Sequence, residues 1–347
     1  MRASSPERTH RRPYPRVAGA PRIEAHAGER GFALVAVLLV LAILGIVGAE
    51  FAFSMRLEAT MVRSYKEAVL GEHLAEAGIQ QAIREILTDA TLVGHLDDGP
   101  LTFFKNVSDP LPRLPREKVP LGSGQFSYRL TDEDGRLDLN LASADKVDRL
   151  LYTLGIDKRE RDVIADSIQD WKDTNEEYRL NGAESEDVYL TLPIPYRSRN
   201  ANFVDVRELL QVHGVTPALY YGEDGHPGLR DLVTAQGSPE PNLNTAPELV
   251  LRAHGLSDAE ISYTLQARRA APFQAVPGNF VGRGLGVLSR TFRIEAEGWV
   301  SGQSRARVTA IVRKQVSPTT GGIEAAVVGW MPHGDDQAPT SDPSPLE

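Results

Sequence analysis

The residues best suited to chemistry lie in one acidic segment near the middle of the chain, residues 170–187. Carboxylate and amide side chains recur there as Asp170-Trp-Lys-Asp-Thr-Asn-Glu-Glu177 and Asn181-Gly-Ala-Glu-Ser-Glu-Asp187. Hard cations such as Ca²⁺ take six to eight oxygen ligands from carboxylates, amides and backbone carbonyls. The candidate calcium ligands are therefore Asp173, Asn175, Glu177, Glu184 and Asp187.

The spacing of this segment leaves two interpretations open. Alternation of Asp173, Asn175 and Glu177 would direct three oxygens to one side, and Glu184 would return across a turn at Gly182. The twelve-residue spacing and central glycine of an EF-hand are missing. An acidic surface loop without a bound ion is the more common explanation for such a pattern.

No other group of residues predicts catalysis. The chain has no cysteine, which excludes thiol catalysis, disulfides and Cys-ligated metals. Its eight histidines are scattered without zinc spacing, and no nucleophile elbow, P-loop or dinucleotide fingerprint occurs in a strand–helix context. We therefore predict no catalytic residue and no enzyme activity.

The N-terminal region predicts a membrane anchor. Residues 1–31 contain seven arginines and three glutamates, and an uncharged apolar run follows from Phe32 until Glu50. This run is long enough to cross a bilayer as a helix. The positive leader predicts that the N-terminus stays in the cytoplasm and that the rest is translocated. A simple signal anchor is the alternative explanation.

The elements that follow predict a long helix, a sheet and a helical insert. Apolar residues recur every three or four positions after the membrane run, which predicts one helix from Phe32 to Leu87. Residues 91–120 are expected to form a loop. Alternation predicts a strand at Ser123–Thr131 and a hairpin made of Phe292–Val300 and Ala306–Val312. The tail, residues 315–347, is predicted to be disordered apart from a short apolar piece at Ile323–Trp330.

The insert, residues 132–275, repeats one helix–turn–helix pattern. Three segments each offer a polar cap, an apolar helix and a glycine near the helix end, and the glycines are Gly155, Gly214 and Gly255. Such hairpins usually build a small helical domain. The predicted division of the chain is a leader (1–31), a transmembrane segment (32–54), a periplasmic helix with the first strand (55–131), the insert (132–275), the remaining sheet (276–314) and the tail (315–347).

Several motifs together resemble one protein family. Gly31-Phe32 before a membrane helix resembles the site that prepilin peptidases cut and N-methylate in pilins and pseudopilins. Most of that superfamily has glutamate at the fifth mature residue, whereas counting from Phe32 gives Ala36 here. Absence of that glutamate is typical of general secretion pathway protein K, the minor pseudopilin of type II secretion. Further motifs resemble this family in order: Leu137-Asp-Leu-Asn-Leu-Ala142, Ile164-Ala-Asp-Ser-Ile-Gln-Asp-Trp171, Gly182-Ala-Glu184, Leu192-Pro-Ile-Pro-Tyr196, Glu208-Leu-Leu-Gln-Val-His-Gly214 and Asn242-Leu-Asn-Thr-Ala-Pro247.

The resemblance implies a pilin-like α+β fold with a large helical insert of helix-hairpin-helix or SAM-like units. It implies a long N-terminal transmembrane and amphipathic helix packed on an antiparallel sheet. Its implied place is the tip of a short periplasmic pseudopilus anchored by a single pass through the bacterial inner membrane. The implied partners are minor pseudopilins I and J, the major pseudopilin and the prepilin peptidase. The long leader departs from the usual family plan and suggests a start codon downstream of Met1.

Two site assignments gain support from this resemblance. A buried carboxylate in lipid is costly unless it is paired, and a tip subunit has no neighbour above it to pair with. Ala36 therefore fits a cap that initiates assembly. The family also binds calcium in its helical domain, which favours the calcium interpretation of the acidic segment.

Two alternative functions are also considered. A type IV pilus minor pilin would share the N-terminal features, and a DNA-binding protein would share the helical hairpins. Residues 132–275 contain 26 acidic and 15 basic residues, a balance of −11, and the whole chain carries −9. This charge disfavours contact with phosphates, so we expect no nucleic-acid partner.

Overall fold

The computed structural model describes residues 27–223, 225–319 and 321–331, with side chains from Phe32 onward. The chain divides into two compact units, Met1–Arg63 and Ser64–Glu347. The helix α1 (Ala27–Ile86) contributes residues to both. The predicted helix from Phe32 to Leu87 is thus confirmed to within one residue at its end. The leader up to residue 26 lies outside the described residues.

The described part of the first unit is the apolar portion of α1. Among the described residues, α1 is the one helix whose length and composition suffice to cross a membrane. Its large apolar side chains are exposed, as Phe32 is at 78%. A helix that is apolar on all sides and has no protein around it is suited to lipid.

The second unit is built on an antiparallel sheet. In the described residues the strands are β1 (Leu92–His95), β2 (Leu101–Asn106), β3 (Asp109–Pro110), β4 (Val119–Leu121), β5 (Gly124–Asp132), β6 (Leu137–Asp138), β7 (Val233–Thr234), β8 (Thr291–Val300), β9 (Gln303–Val316) and β10 (Ile323–Met331). The main sheet has the order β10-β9-β8-β5-β4, and β1-β2-β3 form a second small sheet. The predicted strand at 123–131 and the β8–β9 hairpin are confirmed.

Helix α1 packs on one face of the main sheet. The shared core contains Leu74, Ile79 and Ile86 from the helix, together with alternate residues of β5, β8 and β9. Two glycines make the approach close, because a Cβ on Gly298 would lie 1.8 Å from the carbonyl oxygen of Gly71. Real Cβ atoms do not come this near to backbone, so the helix–sheet distance depends on Gly298.

A buried ion pair fixes the end of α1. Glu85 is 2% exposed, and its carboxylate accepts hydrogen bonds from Arg116 Nη2 at 2.7 Å and from the Tyr128 hydroxyl at 2.9 Å. Arg116 Nη2 also donates to Leu101 O at 2.9 Å. The pair therefore links the helix to both sheets while its hydrogen bonds are satisfied.

The regular structure of the insert consists chiefly of short helices. Its helices are α2 (Ala144–Thr153), α3 (Lys158–Lys172), α4 (Pro217–Tyr221), α5 (Leu229–Leu232), α6 (Glu248–Ala253) and α7 (Asp258–Ala270). Short 3₁₀ turns lie at Leu96–Asp98, Glu133–Gly135, Tyr189–Thr191, Val206–Gln211 and Gly278–Phe280. Gly155, Gly214 and Gly255 all have positive φ, between 80° and 85°, as helix-ending glycines do.

Three predicted boundaries are wrong. Residues 91–120 were expected to form a loop but contain β1–β4, because Val93, Leu101 and Phe103 bury their side chains in the core beneath α1. Irregular structure of the insert continues past residue 275, and β8 begins only at Thr291. The sheet does not end at residue 314, since β9 runs to Val316 and β10 adds a further strand.

Consecutive acidic residues attach the insert to the sheet. The buried carboxylate of Asp132 accepts hydrogen bonds from Asn242 Nδ2 at 3.2 Å and from the Ser289 hydroxyl. The neighbouring Glu133 pairs with Arg293 of β8 at 2.7 Å and with Arg136 at 3.1 Å. Burial alone would raise the pKa of Glu133, but the two guanidinium groups lower it to about 2. The beginning and the end of the insert are thus held at one buried node.

Candidate functional site

The acidic segment begins inside the last turn of α3. Asp157 starts this helix by accepting hydrogen bonds from the amides of Arg159 and Glu160. The apolar face of α3 packs in the insert core. Asp170 lies on this face next to Trp171, so its side chain is fully buried. The helix ends at Lys172, whose ammonium donates to the carbonyl of Leu139 at 2.7 Å.

Asp170 is only partly satisfied by hydrogen bonds. Its Oδ2 accepts from the amide of Arg179 at 3.0 Å, whereas its Oδ1 accepts no hydrogen bond and lies 3.5 Å from Arg179 Nε. Burial raises the pKa of this carboxyl group, and the charge of Asp173 raises it further. A Cβ on Gly182 would lie 1.8 Å from Oδ2, so the loop closes over Asp170 only because residue 182 is glycine.

Glu184 has the same incomplete environment. It is 1% exposed, and its Oε2 accepts from the Ser198 hydroxyl at 2.8 Å, while its Oε1 is buried without a donor. Burial is the largest cause of its raised pKa. The negative charges of Asp170, Glu176 and Asp173 add to it. These four carboxylates therefore lie near one another.

Asn200 supplies a third buried oxygen of this kind. It adopts a left-handed backbone conformation with φ of 48°, and its Nδ2 donates to Glu176 Oε1 at 2.9 Å. Its amide oxygen Oδ1 is buried and accepts no hydrogen bond. An unpartnered buried polar group costs about 1–3 kcal/mol. Asp170, Glu184 and Asn200 thus contribute three buried acceptor oxygens that receive no hydrogen bond, although Asp170 Oδ1 is ion-paired with Arg179 at 3.5 Å.

This set of donor atoms suits a hard divalent cation. Carboxylate and amide oxygens are what Ca²⁺ prefers, and a bound cation would both occupy the unpartnered acceptors and reduce the repulsion among the carboxylates. In the described part of the chain, no three acidic or histidine side chains converge on one point as a complete metal-binding group. The residues fit a site completed by amide and backbone oxygens rather than by carboxylates alone.

The predicted calcium ligands differ in burial. Asp173 is half-buried, and its negative charge contributes to the raised pKa of Glu184. The structure places Asn175, Glu177 and Asp187 on the surface, where Asn175 Oδ1 accepts from the amide of Glu177 at 2.7 Å. Their role as ligands stays a prediction.

The sequence analysis did not select Asp170, Glu176 or Asn200. A charged residue among the buried positions of α3 was a usable signal for Asp170. Nothing local marked Asn200, which follows the acidic segment by more than a dozen residues.

Two parts of the insert share one hydrogen-bonding pattern. Asn140 Oδ1 accepts from the amide of Phe203 at 2.7 Å, and Asn140 Nδ2 donates to the carbonyl of Phe203 at 3.0 Å. Asn244 makes the same two bonds with Phe273, at 2.6 and 3.0 Å. In each part a helix pair lies between the asparagine and the phenylalanine, and a cation in the last turn of its second helix donates to two backbone carbonyls. Lys172 donates to Leu139 O and Ala142 O, and Arg268 donates to Leu243 O and Ala246 O.

The acidic segment is an addition to this shared pattern. In the second part, only Ala271 and Pro272 separate α7 from Phe273. In the first part, residues 173–202 separate α3 from Phe203, and most of the acidic cluster lies within them. The helical pattern therefore does not require this segment, which supports a separate role for it.

The assembly residues lie on α1. Gly31, Phe32 and Ala36 are all within the helix, and Ala36 is half-buried. Cleavage between Gly31 and Phe32, and a role for Ala36 in assembly, stay predictions.

Comparison with known proteins agrees with this architecture. Residues 128–222 match the model of the family described as type II secretion system (T2SS), protein K. The chain is 29% identical to type II secretion system protein K of Pseudomonas aeruginosa over 247 residues, 65% of this chain and 68% of that protein. It is 27% identical to the putative type II secretion system protein K of Escherichia coli K12 over 263 residues, 69% of this chain and 75% of that protein.

A solved structure shows the same fold. A chain of the GspK-GspI-GspJ complex from the type 2 secretion system of enterotoxigenic Escherichia coli aligns with a TM-score of 0.61 and 20% identity. The alignment covers 80% of this chain and all of that chain. The pilin-like fold, with its long helix on an antiparallel sheet, is confirmed. The sequence and the fold of the chain are therefore similar to those of type II secretion system protein K.

Proposed function

We propose that this minor pseudopilin caps the tip of the type II secretion pseudopilus, initiates its assembly and so supports protein export across the outer membrane. The observation that carries the proposal is the insert between β5 and β8, which are adjacent strands of one sheet. The buried node of Asp132 and Glu133 fixes the insert to that sheet. A bulky domain held firmly there would obstruct a further subunit, which suits a terminal position. The role is structural rather than enzymatic.

The N-terminal helix supports the proposed location. An inner-membrane protein with a cytoplasmic N-terminus and a periplasmic second unit agrees with the apolar part of α1 and with the arginine-rich leader. Ala36 supports the tip position, because an unpaired glutamate there would be costly in lipid.

Processing by a prepilin peptidase gives a direct prediction. Mass spectrometry of the chain extracted from membranes is expected to find N-methyl-Phe32 as the first residue. The change that should abolish this is Gly31→Leu, because a small residue before the cut would be replaced by a bulky one. Recovery of the wild-type chain with its leader still attached, from cells with an active prepilin peptidase, would contradict the proposed cleavage site.

The partners proposed are minor pseudopilins I and J and, below them, the major pseudopilin. The related crystal structure is of a complex that contains GspI and GspJ together with GspK, and this supports an equivalent complex here. We expect the full chain, extracted in mild detergent, to co-purify with pseudopilins I and J of the same bacterium. Co-purification with type IV pilus proteins instead would favour the alternative of a minor pilin.

Calcium is proposed as a structural ion of the insert. Asp170, Glu184 and Asn200 would hold it, with Asp173 nearby, and the ion would supply positive charge to a buried acidic cluster. No step of a reaction is attributed to it.

The structure gives no support for DNA binding by the hairpins. Phosphate would have to bind free amides at the beginning of a helix. At α3 those amides donate to Asp157, and at α7 the amide of Glu260 donates to Ser257, while the Glu260 carboxylate pairs with Arg283. Carboxylates at these positions would repel phosphate.

A further inference from the structure

The main sheet extends further than the helix that packs on it. Side chains of β5, β8 and β9 form the core beneath α1, whereas β10 contributes only the partly buried Ala325. The β10 strand spans nine residues and, among the residues that the structure describes, pairs with β9 alone, so it forms one edge of the described sheet.

The register shows which side chains of β10 face the same side as α1. Directly opposed residues of an antiparallel pair point to the same face. Val327 opposes Val312, and Trp330 opposes Ala310, and both partners are fully buried in the core beneath α1. A bulge between Val327 and Gly329 shifts the alternation by one residue and so returns Trp330 to the face of Val327.

An apolar strip therefore continues the α1 face of the sheet. Ile323, Val327 and Trp330, here called the β10 strip, are 58%, 49% and 45% exposed. The eight residues from Ile323 to Trp330 are separated by seven steps and span about 23 Å at the usual rise of a strand. That length equals roughly four turns of an α-helix.

The two edges of the sheet differ in how they are protected. The opposite edge, β4, has three residues, includes Pro120 and follows Lys118, all of which discourage pairing or packing with other proteins. The nine residues of β10 include neither proline nor lysine, although Pro332 follows them, and the one charged residue, Glu324, lies on the other face opposite Gln315. An unprotected apolar edge in a soluble unit indicates an interaction site.

We propose that the β10 strip is the binding surface for an amphipathic helix of a neighbouring pilin-fold subunit, which would pack beside α1. The proposal rests on the tip-pseudopilin function and identifies the surface through which one partner binds. The same face of the same sheet already takes α1 through aliphatic side chains, so a second helix would continue an existing mode of packing. Adjacent helices pack at 8–10 Å between their axes, which places the second helix over the strip.

The chain's own tail does not suit this position. Residues 332–347 contain four prolines and four acidic residues, and Leu346 is the single large apolar residue among them. Such a composition does not predict an apolar helical stripe. The occupant is therefore a helix of another chain.

Site-directed cross-linking tests the proposal, because the chain has no natural cysteine. Val327→Cys in the full chain, carrying a maleimide–benzophenone reagent, is expected to cross-link to the periplasmic half of a partner's N-terminal helix within the complex with pseudopilins I and J. Glu324→Cys is the matched control, since it lies on the same strand and the opposite face. We expect at least tenfold less of the helix cross-link from this position.

A second variant tests the energetic contribution. Trp330→Glu should reduce recovery of the partner at least tenfold, because it places a charge beneath an apolar helix, while thermal unfolding of the isolated chain should be unchanged. Wild-type co-purification without helix cross-links from position 327 would overturn this inference and leave the proposed function standing. Failure of the wild-type chain to bind either pseudopilin would overturn both.

Discussion

Calcium is expected to raise the free energy of unfolding of the wild-type chain by about 2.7 kcal/mol at one hundred times the dissociation constant. The physical reason is that the folded chain buries three acceptor oxygens without donors, on Asp170, Glu184 and Asn200, whereas the unfolded chain hydrates them. Thermal unfolding of the full chain in detergent measures the effect. Each kcal/mol corresponds to a rise in Tm of roughly 2–4 °C for a domain of this size.

Matched pairs of substitutions identify the ligands. Asp170→Asn combined with Glu184→Gln should abolish the calcium response, because an amide lacks the negative charge of the carboxylate ligand that it replaces. Glu177→Gln combined with Asp187→Asn is the control, because it removes the same charge from exposed positions. The control should keep the full response. If only the control variant lost its calcium response, the exposed acidic residues would be the ligands. If calcium did not change the thermal unfolding of the wild-type chain, the acidic segment would not bind the ion.

The calcium effect should also depend on pH. Without the ion, burial raises the pKa of Asp170 and Glu184 above their ordinary values of 3.8 and 4.5, and neighbouring carboxylates raise them further. The folded chain then holds protons more tightly than the unfolded chain, so this contribution to stability is complete below pH 4 and is lost as the pH rises through the raised values. Bound calcium keeps both groups ionised. The stabilisation by calcium should therefore be larger at pH 8 than at pH 5, and an equal effect at both would contradict ligation by these carboxylates.

The long helix and the central hairpin could be predicted because their signals are local. Apolar residues at helical spacing determine α1, and alternation determines β8 and β9. Gly155 and Gly255 directly follow the ends of helices and have positive φ, which a sequence pattern can indicate, whereas Gly214 has the same backbone conformation three residues after a 3₁₀ helix. In each case the sequence signal lies within the element itself or in the turn that follows it.

The remaining elements depend on contacts that no local pattern reports. The strands β1 and β2 are short, and they form because Phe103 and Val93 reach the core under α1. The strand β10 follows a Pro-, Thr- and Gly-rich turn, and pairing with β9 decides its conformation. The candidate site combines Asp170 at the end of a helix with Asn200 thirty residues later, a separation along the chain that no local pattern spans.

The distance between α1 and the sheet is expected to be the most sensitive feature of the second unit. Gly298→Ala should lower the free energy of unfolding by at least about 3 kcal/mol, at the upper end of the usual cost of overpacking. The added Cβ would lie 1.8 Å from the carbonyl oxygen and 2.6 Å from the carbonyl carbon of Gly71, and backbone atoms cannot rotate away as a side chain can. Denaturant unfolding of the full chain in detergent measures the change.

Substitutions at two other glycines provide a comparison for the destabilisation expected at Gly298. Gly71→Ala should cost less than Gly298→Ala, because its Cβ would lie 2.7 Å from the Cβ of Arg305 and because alanine favours the helix by about 0.5–1 kcal/mol. Gly278→Ala is the control, since no atom lies within 4 Å of its Cβ and its φ is not positive; it should change stability by no more than about 0.5 kcal/mol. The expected order of destabilisation is therefore Gly298, then Gly71, then Gly278. If Gly298→Ala were as mild as Gly278→Ala, α1 would be free to move away from β8, and the packing described here would not be what fixes the helix on the sheet.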